Sequence, residues 1–388
     1  MTTNDEANAV TLVDRILSRG AMDGASDIHI EPRADGVNVR FRIDGLLVNR
    51  PSFPGGFRHS VASRLKVMAS LDIAEKRLPQ DGAFRMRMDQ QDIDIRLSTF
   101  PTEYGEKVVL RLLRQDGNLS GLADLGVPDD VAQRLRSFVA RSHGLVLVTG
   151  PTGSGKTSTL YSLLHEIDGR ARNIVTLEDP IEYRFEHVIQ AQTNPRIGFS
   201  FAKGLRAMLR QDPDVIMVGE MRDAETADIA FKAALTGHLV LSTLHTGSAI
   251  ETFVRLFDMG LERYVVASAL HGMLAQRLVR RLCPVCRAEH PASDSDKQIL
   301  AEFGMTSNTV LRARGCDACH GTGYTGRVGI FELIDASDAL KDLVKSERTT
   351  RVELSEYLAG LGYRGLRHAG LQLVAQGITS IDEVMRVT

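Results

Sequence analysis

Apolar residues recur along this chain with two different periods, and the places where the period changes divide it. Val10, Val13, Ile16 and Leu17 recur at helical spacing, so an amphipathic helix is predicted to open the chain. Residues 27–31 then alternate, and Val37, Val39, Phe41 and Ile43 alternate with Arg40, Arg42 and Asp44. A turn at Asp44-Gly45 makes this a hairpin of half-buried strands. Residues 51–57 (PSFPGGF) read as a loop and 58–71 as a helix. A strand pair follows at Phe84/Met86/Met88 and Ile93/Ile95/Leu97, then a strand over 107–113. Residues 1–115 are thus predicted to form an α+β domain.

Residues 116–126 (DGNLSGLADLG) are rich in Gly and Asp and read as a linker. Beyond them, residues 145–149, 173–177, 215–218 and 239–242 are short, nearly continuous apolar runs separated by helical stretches. Parallel strands covered by helices on both faces have this pattern, so 127–280 is predicted as an α/β core. Residues 281–325 contain cysteines, glycines and prolines, and 326–388 read as a helical C-terminal part. The chain shows neither an internal repeat nor a low-complexity tract.

Composition narrows the partners. A chain of 388 residues is too long for one ordinary core. Its net charge, 47 − 49 = −2, offers no bulk attraction to nucleic acid. Arg277, Arg280, Arg281 and Arg287 do cluster, but so short a basic run reads as a solvated or interface face. The first residues, MTTNDEANAV, lack a signal pattern, and no apolar stretch approaches the ~18 residues that span a bilayer. A cytosolic protein is expected, reaching a membrane only through a partner. Structural disulfides are not expected in that compartment, so the four cysteines need another role.

The chemistry begins after the first apolar run. Gly150, Pro151, Thr152, Gly153, Ser154, Gly155, Lys156 and Thr157 match G-x-x-x-x-G-K-[ST], followed by Ser158, between an apolar strand and a helical stretch. Glycines let backbone N–H groups face a phosphate, and the helix N-terminus adds partial positive charge. Lys156 should reach the β- and γ-phosphates of ATP, and Thr157 should ligate Mg²⁺. In 214–223 (DVIMVGEMRD), Glu220 lies just past an apolar strand, at the end where parallel sheets place their ligands. A carboxylate there can polarise the attacking water or hold the metal through water. Residues 176–183 (TLEDPIEY) bring Glu178, Asp179 and Glu182 to a strand exit, which suits a metal–water network or, more plainly, turn capping. In 236–246 (TGHLVLSTLHT), His238 and His245 flank a strand as candidate sensors of the γ-phosphate.

The order GPTGSGKT, TLEDPIEY, QDPDVIMVGEMRD and TGHLVLSTLHT resembles the secretion ATPase superfamily of type II secretion and type IV pilus assembly motors. SDIHIEP, RFRIDG and RLPQDG look like the second N-terminal domain of that family, and the similarity covers nearly the whole chain. The resemblance implies a RecA-like ATPase core in a homo-hexamer, with each nucleotide between the two domains of a subunit. It also implies work on an inner-membrane platform protein, without membrane insertion. The chain is expected to open at about the second N-terminal domain, without the first.

The family places arginines that approach phosphate in the strands after RLPQDG. Arg96 aligns well; the other usual position is Ala83, where Arg85, two residues on and on the same strand face, could substitute. Arg206 and Arg210, four apart in FAKGLRAMLRQDPD, match further family arginines and are expected on one helix face.

Cys283-Pro-Val-Cys286 and Cys316-Asp-Ala-Cys319 are two C-x-x-C pairs and the only cysteines. Four thiolates select Zn²⁺ and leave no position for water, so a structural site is expected, with redox dithiols as the alternative. The 29 residues between the pairs are expected to form a loop too poor in apolar residues to build a core. In the family this insertion marks the secretion and pilus-assembly branch and is absent from the pilus-retraction branch. A DNA-uptake or conjugation motor is the rival, weakened by the charge and by 5% aromatic content.

Overall fold

The computed structural model describes residues 3–88, 91–114, 121–361, 363 and 365–388, and divides the chain into two units, Met1–Asn118 and Leu119–Thr388. Of the linker expected at 116–126, residues 116–120 lie outside the described residues. Leu122, in its second half, is buried in the core of the second unit beside Val127, Leu135 and Phe138.

The first unit runs α1 (Thr3–Met22), β1 (Asp27–Pro32), β2 (Val37–Ile43), β3 (Leu46–Phe53), α2 (Arg58–Met68), β4 (Gln80–Met88), β5 (Gln91–Thr102) and β6 (Gly105–Arg114). Its strands form one antiparallel sheet in the order β3-β2-β1-β6-β5-β4. Alternation decides which face is covered. Ile28, Ile30, Val39, Phe41, Ile95, Leu97, Val108 and Leu110 pack under Val13, Leu17, Val61 and Leu65 of the two helices. The residues between them carry the charges to the other face. Asp44 and Gly45 both have positive φ, +47° and +84°, as a two-residue hairpin requires. The expected loop at 51–57 starts late, because β3 continues through Pro51 to Phe53.

The second unit continues with α3 (Asp129–Val139), β7 (Gly144–Thr149), α4 (Lys156–His165), β8 (Ile174–Glu178), β9 (Ile189–Gln192), α5 (Phe201–Met208), β10 (Val215–Val218), α6 (Ala224–Leu235) and β11 (Leu239–Leu244). After these come α7 (Ala249–Asp258), α8 (Arg263–Ala269), β12 (Leu270–Leu282), β13 (Ala288–Pro291), α9 (Asp294–Glu302), β14 (Thr309–Arg312) and β15 (Tyr324–Asp335). Helices α10 (Asp338–Lys345), α11 (Arg351–Gly360), α12 (Leu366–Ala375) and α13 (Ile381–Val387) close the chain.

Seven strands form the central sheet in the order β15-β12-β7-β11-β10-β8-β9, parallel except for β15. Both faces are apolar, which is why the strands read as unbroken runs: Leu145, Leu147, Ile216 and Val218 enter one core, and Val146, Val148, Val215 and Met217 the other. The C-terminal part is helical from Asp338 onward. Before it, Tyr324–Asp335 supplies the antiparallel edge strand, an element the apolar pattern did not reveal.

The segment between the cysteine pairs departs from expectation. It holds α9 and the hairpin β13–β14, and Leu300 and Val310 share a small core with Leu371, Val374, Ile381 and Val384 of α12 and α13. Its apolar residues are few because distant helices supply the rest. Among the described residues, no helix is long and apolar enough to cross a membrane.

Candidate functional site

Strand β7 ends at Thr149, and the chain turns through Gly150 (φ +151°), Gly153 (φ +77°) and Gly155 (φ +87°) before α4 begins at Lys156. A Cβ on Gly150 would stand 2.5 Å from both Gln276 O and Ser154 Oγ, so only glycine fits. Lys156 Nζ donates to Gly150 O (2.9 Å) and Pro151 O (3.1 Å). Burial lowers its ammonium to about 8; Glu220 opposes that shift and Arg277 adds to it. Ser154 Oγ is buried without a hydrogen-bond partner. A helix N-terminus, a lysine ammonium and an unpartnered hydroxyl form a donor set that fits a polyphosphate. Thr157, half-buried one position into α4, fits as the Mg²⁺ ligand, and Ser158 is exposed beside it.

Glu220 lies two residues past β10. Its Oε1 accepts from Arg222 Nη2 at 2.5 Å, and its Oε2 lies 3.3 Å from His245 Nε2. Burial alone would raise its pKa, but Arg222 and His245 together hold it below the ordinary carboxylate value. The other ring nitrogen of His245 lies 3.5 Å from Lys156 Nζ, so the ring links the phosphate lysine to the carboxylate. Lys156, Glu220 and His245, named separately from the sequence, are brought together because β7, β11 and β10 are adjacent parallel strands with their carboxyl ends at one edge.

Not all of the other candidates join them. His238 lies at the opposite edge of the sheet, its Nδ1 at 3.0 Å from Ala233 O, because two residues flanking one strand must leave by opposite ends. Glu178 is buried under three donors, the hydroxyls of Tyr161 and Thr176 (2.6 Å) and Gln190 Nε2 (3.1 Å). Its oxygens are committed to holding α4 against β8 and β9. Asp179, the next residue, is more exposed and lies 3.8 Å from Arg222. Arg206 pairs with Glu225 at 2.6 Å, whereas Arg210 lies beyond the end of α5 at Met208 and donates to Arg206 O (2.8 Å). The two therefore do not share a helix face; Asp212 (φ +51°) and Pro213 stop the helix short of the spacing.

In the first unit, Arg96 on β5 stands opposite Ala83 on β4 and Arg111 on β6. Arg85 lies on the same face but is bound by Asp94, opposite it, at 2.7 Å.

Three residues were missed. Gln276, buried on β12, donates to Ser154 O (2.7 Å) and accepts from Thr159 Oγ1 (2.8 Å), clamping the glycine loop to the sheet. Arg277, read only as part of a basic cluster, donates to Gln276 O (3.2 Å) and Gly247 O (2.5 Å). Arg222 was visible in DVIMVGEMRD, two residues after the carboxylate it binds. Gln276 carried no local signal.

A family model described as type II/IV secretion system protein matches residues 2–386. The chain belongs to that family. It is 46% identical over 386 residues to the type II secretion system ATPase E of Vibrio cholerae, spanning 100% of this chain and 76% of that protein. It is 44% identical over 389 residues to the type IV pilus assembly ATPase PilB of Thermus thermophilus, spanning 99% of this chain and 43% of that protein. Among solved structures, the pilus retraction motor PilT with bound ADP matches with a TM-score of 0.63 and 29% identity, covering 96% of both chains. Membership of this secretion family makes the chain an ATP-hydrolysing motor protein.

This member of the secretion family also gathers its four cysteines. Cys283 follows the end of β12, Cys286 the turn after it, and Cys316 and Cys319 a short helical turn. All four Sγ atoms lie within 4.8 Å of one another, and Cys283–Cys316, Cys286–Cys319 and Cys316–Cys319 are 3.9, 3.8 and 3.7 Å apart. Four thiolates at the usual zinc–sulfur distance of about 2.3 Å would stand about 3.8 Å apart at tetrahedral corners, so the set fits zinc. Backbone N–H groups of Cys316 (3.2 Å) and Gly323 (3.1 Å) point at Cys319 Sγ, as thiolate ligands require.

Proposed function

We propose that this chain is a cytoplasmic, hexameric ATPase that drives assembly of a type II secretion pseudopilus or a type IV pilus through an inner-membrane platform protein. The observation that carries the reading is the line Lys156–His245–Glu220 beside the glycine loop. The loop's N–H groups and Lys156 bind and neutralise the polyphosphate, and Thr157 would hold its Mg²⁺, which would shield phosphate charge. Glu220 accepts a proton from the attacking water. The water oxygen bonds to the γ-phosphorus as the bridge to the β-phosphate breaks and ADP leaves. His245 keeps the carboxylate and the lysine in register.

Arg96, with Arg206 or Arg210, supplies the charge that stabilises the γ-phosphate as negative charge develops on it. Cys283, Cys286, Cys316 and Cys319 hold zinc as a structural clamp. Identity of 44–46% to an assembly and a secretion ATPase, against 29% to a retraction motor, supports the assembly branch.

The reading is tested by ATP turnover of the purified oligomer with the cytoplasmic part of the platform protein or with single-stranded DNA. Stimulation by the platform protein alone is expected. Stimulation by DNA alone would favour the nucleic-acid translocase.

A further inference from the structure

Arg222 stands between two carboxylates. Its Nη2 lies 2.5 Å from Glu220 Oε1, and the same nitrogen lies 3.8 Å from Asp179 Oδ2. The backbone around it is pinned. Met221 before it is buried and its N–H donates to Thr243 O (3.1 Å), while Asp223 after it caps α6 by accepting from Thr226 N (2.8 Å). The Arg222 side chain, by contrast, is 61% exposed, so it alone is free to swing. The two carboxylates are neighbours because β8 and β10 are adjacent and end together.

A base must present a lone pair to the water it deprotonates. Here Glu220 has Oε1 under a guanidinium and Oε2 facing His245, so both oxygens are engaged. We propose that Arg222 is a positioning residue that shuttles between these carboxylates: on Glu220 it restrains the base, and on Asp179 it releases Oε1 to the attacking water. This rests on Glu220 being the catalytic carboxylate. An ion pair with one partner mostly in water exchanges at little cost, and a second carboxylate within reach gives the guanidinium somewhere to go. The direction of the Glu220 shift agrees: Arg222 is the strongest influence opposing the burial of that carboxyl.

The test is the acid limb of the ATP turnover profile in Arg222→Gln, Arg222→Lys and Asp179→Asn oligomers. The charged groups facing Glu220 are Arg222, His245, Lys156 and Asp179; His245 and Lys156 are unchanged throughout, so differences report the arginine. Removing its charge should move the acid limb to higher pH by about one unit, and Arg222→Lys should restore it. Asp179→Asn removes the alternative seat and should move the limb to lower pH while reducing turnover about tenfold with ATP affinity unchanged. The Asn variant reads the proposal even if Arg222→Gln does not fold. An acid limb that stays put in both variants, or moves the same way in both, would overturn the shuttle. A Glu220→Gln oligomer with normal turnover would instead overturn the underlying role of Glu220.

Discussion

His245 Nε2 lies 3.3 Å from Glu220 Oε2 while Nδ1 of the same ring lies 3.5 Å from Lys156 Nζ, so one imidazole spans the carboxylate and the lysine. A carboxylate only accepts and an ammonium only donates. A ring that donates through Nε2 and accepts through Nδ1 meets both neighbours. His245→Phe removes the link while keeping a ring, and turnover should fall by about a hundredfold with ATP affinity changed little. Single-turnover kinetics with a separate nucleotide titration check the split. His238→Phe, at the other edge of the sheet, should leave turnover near wild type.

Lys156 gives a proton-linked signature. Burial lowers its ammonium to about 8, so the lysine of the nucleotide-free protein is half-deprotonated near that pH. A bound polyphosphate favours the charged form and raises the pKa again. ATP binding should therefore take up protons between about pH 8 and 9, and affinity should fall as pH rises through this window. Calorimetric titration in buffers of different ionisation enthalpy measures the uptake directly.

The two sheet arginines should separate kinetically. Arg85 is bound by Asp94, and Arg96 stands opposite the small Ala83 and beside Arg111, which is paired with Asp27 at 3.0 Å. On the proposal that its guanidinium acts mainly as charge develops on the γ-phosphate, Arg96→Ala should lower turnover far more than ATP affinity. Arg85→Ala should leave turnover within about twofold of wild type, since its partner is lost without a role in the site.

Gln276 holds the glycine loop by two buried hydrogen bonds, to Ser154 O and from Thr159 Oγ1. Gln276→Leu keeps the volume and strands both groups without a partner. A loss of about 1–3 kcal/mol per stranded group is expected, read as a lower melting temperature, with weaker ATP binding because the loop loosens.

Gln276 also shows where the sequence stops being legible. Lys156, Glu220 and His245 could be named because each sits at a strand end marked by an apolar run, and a parallel sheet brings those ends to one edge. Gln276 sits within β12, a strand of thirteen residues whose apolar run is broken by Gln276, Arg277, Arg280 and Arg281, so neither its conformation nor its partner 122 residues away was visible. Glu178 shows a related limit: a carboxylate at a strand exit looks the same whether it meets solvent or, as here, a buried tyrosine hydroxyl. The edge strand β15 was hidden because it pairs with β12 only after the cysteine-bearing insertion between them.

The cysteine-bearing segment should respond to metal loss locally. Leu300 and Val310 are held by Leu371 and Val384, so α9 and the β13–β14 hairpin have support other than the thiolates. Cys316→Ser should lower bound zinc from about one per chain toward zero. Hydrogen exchange should rise around residues 283–287 and 315–326 and stay low in α9. Rapid exchange throughout 283–326 would mean that the metal, and not the shared core, holds the whole segment.

The central claim is that Glu220 is the carboxylate that activates water at this loop. Glu220→Gln keeps its shape and its contact with Arg222 but cannot take a proton at neutral pH. The decisive measurement is ATP turnover and ATP retention by the Glu220→Gln oligomer in one preparation. Turnover reduced by about 10²–10⁴-fold with ATP still bound is the result the account requires. Turnover at the wild-type rate would contradict it and return the role to another carboxylate, Asp179 first.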